Sequence, residues 1–393
     1  MLCLPLLFAF LASSVQAWGV EGHQIIAAIS LPRLSDFAAT QIKGLIGDWD
    51  YTRASTWADA VSRNDAYIWT KQLHYVDALD FPGAQCSYED SRDCPDGRCV
   101  VGALTFFSKE VSCLLKDEKF MKRRSFLRNL AGNDNEDSIQ LTAQSKRQRI
   151  VSMDEAFSSL PVTAARFDNL EDKTPTDESK IKPSAEKIAN FDSIDTETSN
   201  TEKTNASRKT KQSNVFVETE FTIRRDAFKF ILHFAGDIAQ PLHVCNRERG
   251  GNNVQVAFGN RKVKLHSVWD THIIRKRMAE FGGAEGYLAF LDSKLNDGVY
   301  KYQSINWISS QKSFMDTNSN GNSPLFVEWA TESDRINCDT VWSAFDEDPK
   351  QDFAEKYYRD AVPFVDLQIV KAGVRLANLF NEIFDTCQVG VSV

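Results

Sequence analysis

The chain has no excess of positive charge: 54 Asp and Glu residues outnumber 46 Lys and Arg residues, for a net charge of −8. Proteins that grip nucleic acid through a broad basic surface carry the opposite balance. The composition therefore argues against such a surface, and if the chain acts on nucleic acid, bound metal ions must supply the positive field locally. The 42% of apolar and 25% of charged residues are typical of a globular protein with a sizeable core.

Long apolar runs are missing beyond residue 17. No later segment reaches 18 consecutive apolar residues, so no transmembrane helix is predicted. Residues 1–17 hold no charged side chain and end in Val15-Gln16-Ala17, a pattern typical of a signal-peptide cleavage site. We therefore expect a secreted, soluble protein whose mature chain begins at Trp18.

Cysteine is scarce, with eight residues in the chain, and Cys3 leaves with the predicted signal peptide. The seven that remain are expected to form disulfides in an exported protein. Because seven is an odd number, at least one of them is a free thiol or pairs between chains.

Regular apolar spacing is absent from about residue 116 to residue 213. Charged residues, Ser, Thr and Asn dominate there, with little apolar surface to offset the entropy of ordering. We interpret residues 116–213 as a long, largely disordered surface insertion. The only N-glycosylation sequon lies within it and predicts a glycan on Asn205.

Helical periodicity dominates the rest of the predicted mature chain, residues 18–393. Amphipathic spacing predicts three helical stretches: Gly22–Ile46, Ile223–Ala239 and Ala361–Ile383. Strand signals are few, and the best of them, Val254-Gln255-Val256, predicts a short hairpin that extends to Lys262. The sequence thus predicts a single, mainly α-helical domain with a small β-hairpin and a disordered insertion.

Histidine is rare, and most of the six residues stand near an aspartate or near Trp18. The spacing of four residues places His233 and Asp237 on one helix face, and His266 and Asp270 on another. Imidazole nitrogens and carboxylate oxygens are the ligand set that suits zinc. A single histidine or aspartate in such a position is more often a packed or surface side chain than a metal ligand. Their grouping predicts a metal site, and the candidate ligands are His23, Asp59, His74, His233, Asp237, His243, His266 and Asp270.

Short motifs surround these residues and follow one another in a set order. They are Trp18-Gly19-x-x-Gly22-His23, Trp57-Ala58-Asp59, Leu73-His74-Tyr75-Val76-Asp77, the stretch Phe230 to Asp237, Gln240-Pro241-Leu242-His243, Gly250-Gly251-Asn252 and the stretch Leu265 to Asp270. In this combination the chain resembles the zinc-dependent class I nucleases, the single-strand-preferring nucleases and 3′-nucleotidases of fungi, plants and protists. The resemblance covers the mature chain outside the insertion. It implies the multi-helix fold shared by the zinc-dependent phospholipases C and the class I nucleases.

The resemblance implies three zinc ions held by nine residues. The first ion would take Asp59, His74, His233 and Asp237; the second, the α-amine and carbonyl of Trp18, His23 and Asp237; the third, His243, His266 and Asp270. Asp237 would bridge the first two ions. Because the second ion needs a free amine on Trp18, the precursor would be inactive until the signal peptide is removed.

The resemblance also implies an activity. Zinc-activated water would hydrolyse phosphodiester bonds of single-stranded DNA and RNA to 5′-phosphate products, with 3′-nucleotidase activity besides. Asp59 would orient the attacking water, and Asn252 would either hydrogen-bond a metal ligand or lie beside the phosphate. Asp77 would bind the edge of an unpaired base stacked on Tyr75, although Tyr75 could also be a core aromatic residue.

One position departs from the family pattern. Members usually carry a basic residue three positions after the counterpart of Asp59, and here Ser62 stands there, followed by Arg63. Positions three and four residues away share a helix face. Arg63 is therefore either the residue that reaches the scissile phosphate or a plain surface arginine.

For the cysteines, the family arrangement implies the disulfides Cys94–Cys99 and Cys86–Cys338. It leaves Cys113, Cys245 and Cys387 without an assigned partner. Cys245 lies two residues from His243 and could be taken for a zinc ligand, but the third site is complete without it.

Two other functions fit parts of the sequence. A zinc-dependent phospholipase C has a similar fold and three-metal site, but that family has Glu where this chain has Asp270, and it lacks the Gly250-Gly251-Asn252 loop. A secreted binding protein that has lost catalysis would explain Ser62 and the insertion. The complete ligand set favours the enzyme, which we expect to act as a monomer without stable membrane association.

Overall fold

Short helices joined by tight turns make up the first part of the fold. The structure, a computed structural model, describes residues 18–79, 86–112, 222–309 and 312–389. The predicted signal peptide, the predicted insertion at 116–213, Asn205 and Cys113 lie outside these ranges. The elements of the first two ranges are α1 (Val20–Ser30), α2 (Asp36–Ile46), α3 (Tyr51–Ala54), α4 (Trp57–Val61), a 3₁₀ helix at Ile68–His74, α5 (Asp90–Asp93) and α6 (Val100–Val111).

The helical stretch predicted over Gly22–Ile46 is two helices. A 3₁₀ turn at Leu31–Arg33 separates α1 from α2, because Pro32 lacks the amide hydrogen that a continuous helix would need there. The side chain of Ser35 then caps α2 by accepting a hydrogen bond from the backbone N–H of Ala38 at 3.1 Å.

Helix α7 covers residues 222–237 and runs through the core. It matches the helix predicted over Ile223–Ala239 to within two residues and ends shortly before Pro241. Every residue from 226 to 245 is buried, so from Asp226 onward this helix has no face in contact with solvent. Any polar side chain on this part of α7 must find its partners inside the protein.

The remaining elements lead from α7 to the C-terminal helix. They are a 3₁₀ turn at Pro241–His243, α8 (Glu248–Gly251), β1 (Gln255–Phe258), β2 (Arg261–Lys264), α9 (Leu265–Ser267), a π-helical turn at Val268–His272, α10 (Ile273–Glu280), α11 (Ala284–Asn296), α12 (Gln303–Ile308), α13 (Pro324–Ile336), a π-helical turn at Asn337–Trp342, α14 (Ser343–Glu347) and α15 (Lys356–Val389). Strands β1 and β2 pair antiparallel with Val256 opposite Val263, which confirms the predicted hairpin and the mainly α-helical class. Among the described helices, none combines the length and apolar character needed to cross a membrane.

Helix α15 is longer at both ends than the predicted stretch Ala361–Ile383. It begins five residues earlier because aromatic side chains of its first turn are buried. It crosses α1 at close range: a Cβ added to Gly373 would lie 2.6 Å from the Cγ2 atom of Ile29. Farther along, the ring of Phe380 stacks on that of Phe228 in α7, with centroids 4.8 Å apart. The helices α1, α7 and α15 thus form the centre of the fold.

Disulfides tie the loops to this centre. Cys94 and Cys99 are bonded across the loop before α6, with Cα atoms 5.8 Å apart. Cys86 is bonded to Cys338, 252 residues away in sequence, with Cα atoms 6.0 Å apart. Cys387 is also in a disulfide. The pairs implied by the family resemblance are therefore present.

Candidate metal centre

The centre begins with two side chains of α7. His233 and Asp237 are one helical turn apart on the same face and are fully buried. The Nδ1 atom of His233 donates a hydrogen bond to the carbonyl of Ser55 at 2.7 Å. This bond turns the opposite nitrogen, Nε2, toward two carboxylates, 3.3 Å from Asp237 Oδ1 and 3.4 Å from Asp59 Oδ1. A carbonyl partner of this kind orients an imidazole for metal binding.

His74 joins this group from the end of the 3₁₀ helix Ile68–His74. Its Nδ1 atom lies 3.0 Å from Asp237 Oδ2 and 3.6 Å from Asp59 Oδ1. The same atom is 3.2 Å from His233 Nε2. Nitrogen atoms of two imidazoles and oxygen atoms of two carboxylates, from three separate segments, therefore face one small space.

His23 completes the cluster from α1. Its ring stacks on that of His233 with centroids 3.9 Å apart, and its Nε2 atom lies 3.2 Å from Asp237 Oδ1. Gly236 makes room for this ring, since a Cβ there would lie 2.7 Å from His23 Nδ1. Trp18 is fully buried and packs beside Gly22. Trp18 thus lies close to the start of the segment that carries His23. The role of its α-amine as a metal ligand stays a prediction.

A second group of side chains lies on the far side of His74. His243 donates from Nδ1 to the carbonyl of His74 at 2.7 Å. His266 donates from Nδ1 to the carbonyl of Gly250 at 2.6 Å, and its Nε2 atom is 3.1 Å from Asp270 Oδ2. The two imidazole rings are 5.0 Å apart between centroids.

The predicted ligand side chains thus converge. Groups with ligand atoms within 4.8 Å of one another are His23, Asp59 and His233; His74, His233 and Asp237; and His243, His266 and Asp270. The third group is the predicted third site. The first two share His233, so the side chains predicted for two ions form one continuous five-residue cluster.

The residues fit divalent metal ions. The Nε2 atom of His243 and the Oδ1 atom of Asp237 are buried, and neither has a hydrogen-bond partner among the described residues. Buried polar atoms without partners are costly. Nitrogen and oxygen donors of this kind are the usual ligands of zinc.

Burial and charge set the protonation of the cluster. Burial, together with the neighbouring His233, lowers the pKa of His23 to about 4, so this ring is neutral at pH 7, as a ligand must be. Burial alone would lower the pKa of His233, but the charges of Asp237 and Asp59 outweigh it and raise the pKa to about 9. In the metal-free protein these two carboxylates therefore favour a proton on Nε2 of His233, the atom that would bind a metal ion. In the group formed by His243, His266 and Asp270, burial raises the pKa of Asp270 well above its ordinary value.

The predicted substrate residues lie around the centre with varied exposure. Tyr75 is half-buried and Asp77 is exposed, on a segment whose backbone pairs with residues 243–246. Asn252 is half-buried, and its amide donates to the carbonyl of Arg249 at 3.0 Å. Arg63 is exposed beyond the end of α4 and does not share a helix face with Asp59, since α4 ends at Val61. The helix-face argument for Arg63 is therefore wrong, and its role stays a prediction.

Gln240 is the site residue that the sequence reasoning missed. It is fully buried, accepts a hydrogen bond from Leu242 N at 2.6 Å and donates one to Asp270 Oδ1 at 2.6 Å. It therefore orients a candidate ligand. Its polar side chain stands directly before Pro241 in a run of apolar residues, and this pattern could have indicated a buried residue with a hydrogen-bonding role. Cys245 belongs to none of the three groups; its Sγ atom lies 3.3 Å from Trp342 Nε1.

Comparison with known proteins gives a consistent picture. A family model described as S1/P1 Nuclease matches residues 18–133 and 136–385. Endonuclease 2 of Arabidopsis thaliana is 24% identical over 393 residues, covering 98% of this chain and 96% of the relative. Nuclease P1 of Penicillium citrinum is 23% identical over 375 residues, covering 93% and 97%. Nuclease S1 of Aspergillus oryzae is 21% identical over 374 residues, covering 93% and 92%.

Proposed function

The chain belongs to the S1/P1 nuclease family, and we propose that it is a secreted, zinc-dependent endonuclease specific for single-stranded DNA and RNA. Family membership identifies a hydrolase that acts on phosphodiester bonds of nucleic acid. The proposal adds 5′-phosphate products, activity on 3′-nucleotides, and a monomeric protein without stable membrane association.

One observation carries the proposal. Five side chains from four separate segments (α1, α4, the 3₁₀ helix Ile68–His74 and α7) point their nitrogen and oxygen atoms into one buried space, with a three-residue group beside them. Several of these ring nitrogens and one carboxylate oxygen of Asp237 are buried without a hydrogen-bond partner among the described residues. We assign three zinc ions to them: one to Asp59, His74, His233 and Asp237; one to the backbone of Trp18, His23 and Asp237; and one to His243, His266 and Asp270.

Bound zinc supplies Lewis-acid chemistry, because it lowers the pKa of water and neutralises charge on a phosphodiester. The protein's own residues supply position. Asp237 is fully buried between His23, His74 and His233, and so holds these three rings together. Asp59 is the most exposed member of the cluster, with about a tenth of its side chain accessible, so it can accept a hydrogen bond from the attacking water.

Substrate preference follows from the residues around the centre. Tyr75 and Asp77 lie on the segment that follows His74, where an aromatic face and a carboxylate suit an unpaired base. A duplex keeps its bases stacked and cannot present one to Tyr75. Asn252 lies on the loop that carries Gly250, the partner of His266. We propose that it contacts the phosphate.

Secretion is supported by the signal-like residues 1–17 and by the disulfides. The family match begins at residue 18. Removal of residues 1–17 would free the amine of Trp18, which we assign to the second zinc ion. Export and metal binding would then depend on the same cleavage.

The test combines metal analysis with digestion assays of the purified mature protein. We expect close to three zinc ions per chain, rapid digestion of denatured DNA, slow digestion of duplex DNA, and loss of activity with a chelator that zinc reverses. Phosphatidylcholine serves as the comparison substrate. Protein that holds zinc but leaves denatured DNA and RNA intact would overturn the proposal, and hydrolysis of phosphatidylcholine instead would identify a phospholipase.

A further inference from the structure

The loop that follows His243 contains the short element α8 (Glu248–Gly251), whose backbone is not that of a regular right-handed helix. Glu248 and Arg249, neither of them glycine, have φ angles of 50° and 56°, and Gly250 and Gly251 continue with 60° and 77°. Residues other than glycine rarely adopt this left-handed conformation, because their Cβ atom crowds the backbone. At Gly250 the close approach of the Leu242 carbonyl requires glycine. Arg249, in contrast, carries a side chain at a φ angle of 56°, where glycine would be less strained.

Hydrogen bonds of the backbone connect the loop around Arg249 both to the metal centre and to the segment of the proposed base site. Its amide donates to the carbonyl of Asn246 at 2.9 Å, and Asn246 N donates to the carbonyl of Ala78, the residue after Asp77, at 2.9 Å. On its other side, the next residue, Gly250, accepts the hydrogen bond of His266. Arg249 is therefore one residue from the carbonyl that orients a metal ligand.

The charge of Arg249 acts on the proposed base site. Burial raises the pKa of Asp77, and the positive charge of Arg249 opposes that rise. Within the described part of the chain, the Arg249 guanidinium makes no ion pair and no hydrogen bond, and the side chain is exposed. Its neighbour Arg247 differs, since it pairs with Asp346 at 2.6 Å and lies over the Trp342 ring.

We infer that Arg249 is a substrate-binding residue that contacts a phosphate of the nucleic-acid strand held by Tyr75 and Asp77. The inference rests on the proposed function. The protein has a net charge of −8, and Asp77 adds a negative charge at this site, so both repel a nucleic-acid strand. An accessible cation beside Asp77 would offset this repulsion. Strained backbone held at a site of this kind is a known sign of function.

The experiment compares three variants of the mature zinc-loaded protein. Arg249→Gly removes the charge and relaxes the backbone, Arg249→Lys keeps the charge, and Glu248→Gly is the matched control that relaxes the adjacent position. The probe is a single-stranded phosphorothioate oligothymidylate, which resists cleavage. Its affinity is measured at several salt concentrations, with zinc content and melting temperature determined for each variant.

We expect Arg249→Gly to bind the oligonucleotide about 10-fold to 100-fold more weakly, the range for a hydrogen bond to a charged group. The slope of log affinity against log salt should shrink by about 0.7, the value for one contact to single-stranded phosphate. Arg249→Lys should keep the slope. Glu248→Gly should bind at least as tightly as the unaltered protein. Both glycine variants should keep their zinc and melt no lower than the unaltered protein, because glycine adopts positive φ freely.

Three results would overturn the inference. They are an unchanged salt slope in Arg249→Gly, an equal loss of affinity in both glycine variants, and a loss of zinc in Arg249→Gly, which would place the effect on His266. Failure of the proposed function is a separate outcome. It would appear as absent zinc-dependent cleavage of single-stranded DNA by the unaltered protein, whatever the variants bind.

Discussion

The Nδ1 atom of His243 lies 2.7 Å from the carbonyl oxygen of His74, and this hydrogen bond joins the two candidate metal groups. Both residues are buried, so no water competes for the bond. It directs Nε2 of His243 toward His266 and Asp270, while the side chain of His74 faces Asp59 and Asp237. A change in either residue is therefore expected to disturb both groups.

The first prediction follows from this link. His243→Ala should lower the zinc content by one ion or more and reduce cleavage of single-stranded DNA by more than about 100-fold, since even indirect metal contacts are worth 10-fold to 100-fold. His272→Ala is the matched control. His272 is the one histidine outside the metal groups, and its ring packs against Phe258 with centroids 5.2 Å apart. Equal zinc content in the two variants would contradict the assignment of His243.

A glycine pair tests the space around His23. Gly236→Ala would place a methyl group 2.7 Å from His23 Nδ1, so we expect loss of zinc from the first cluster and loss of activity. Gly44→Ala, in α2, meets nothing within 4 Å. It should stabilise the protein by about 0.5–1 kcal/mol through helix propensity alone. Zinc content and thermal unfolding measured side by side decide the matter, and full zinc binding by Gly236→Ala would show that His23 is not a ligand.

The buried position of Trp18 leads to a prediction about maturation. A chain that keeps Ala17 attached to Trp18 has an amide in place of the amine, and amide nitrogen is a poor metal ligand. We expect this chain to hold less zinc and to be inactive on single-stranded DNA. Proteolytic removal of the extension should restore both, whereas an extension at the C-terminus should have no effect. Full activity with Ala17 in place would refute the role of the amine.

Arg63 provides a prediction that is independent of the metal ligands. If its guanidinium reaches the scissile phosphate, Arg63→Ala should lower turnover by about 100-fold or more while zinc content stays the same. The loss should appear with short and long substrates alike, because the contact is at the reacting group. Unaltered turnover would show that Arg63 does not contact the scissile phosphate.

The ion pairs of Glu332 predict a pH dependence away from the metal centre. Burial would raise the pKa of Glu332, but Arg375 and Lys371 outweigh it and hold the pKa below its ordinary value of 4.5. A depressed carboxyl pKa contributes stability above the ordinary value, and this is lost as the pH falls through the lowered pKa. Glu332→Gln should therefore cost about 1–3 kcal/mol at pH 7 and much less at low pH.

Chemical unfolding of the chelated protein from pH 7 to pH 3 measures this difference without interference from metal release. Glu328→Gln is the control, because 43% of the Glu328 side chain is accessible in its pair with Lys312, and an ion pair this exposed contributes little. A constant difference between Glu332→Gln and the unaltered protein across this range would contradict the assigned pKa.

The local spacing of residues along the sequence predicted much of the fold and of the site. The four-residue spacing of His233 and Asp237 predicted their common helix face, because helical geometry depends only on the backbone. The same local logic predicted α7 to within two residues and the hairpin. It failed where packing decides the outcome, as at the start of α15, where buried aromatic side chains extend the helix beyond the predicted residue.

The sequence by itself determined which side chains can bind metal, that His233 and Asp237 share a helix face, and where prolines end helices. The tertiary structure alone decided which atoms meet. Gln240 reaches Asp270, the Ser55 carbonyl orients His233, and the Gly250 carbonyl orients His266, across separations of up to 178 residues. Contacts of this kind leave no local pattern, because chain segments are brought together by burial of apolar surface and not by neighbouring residues.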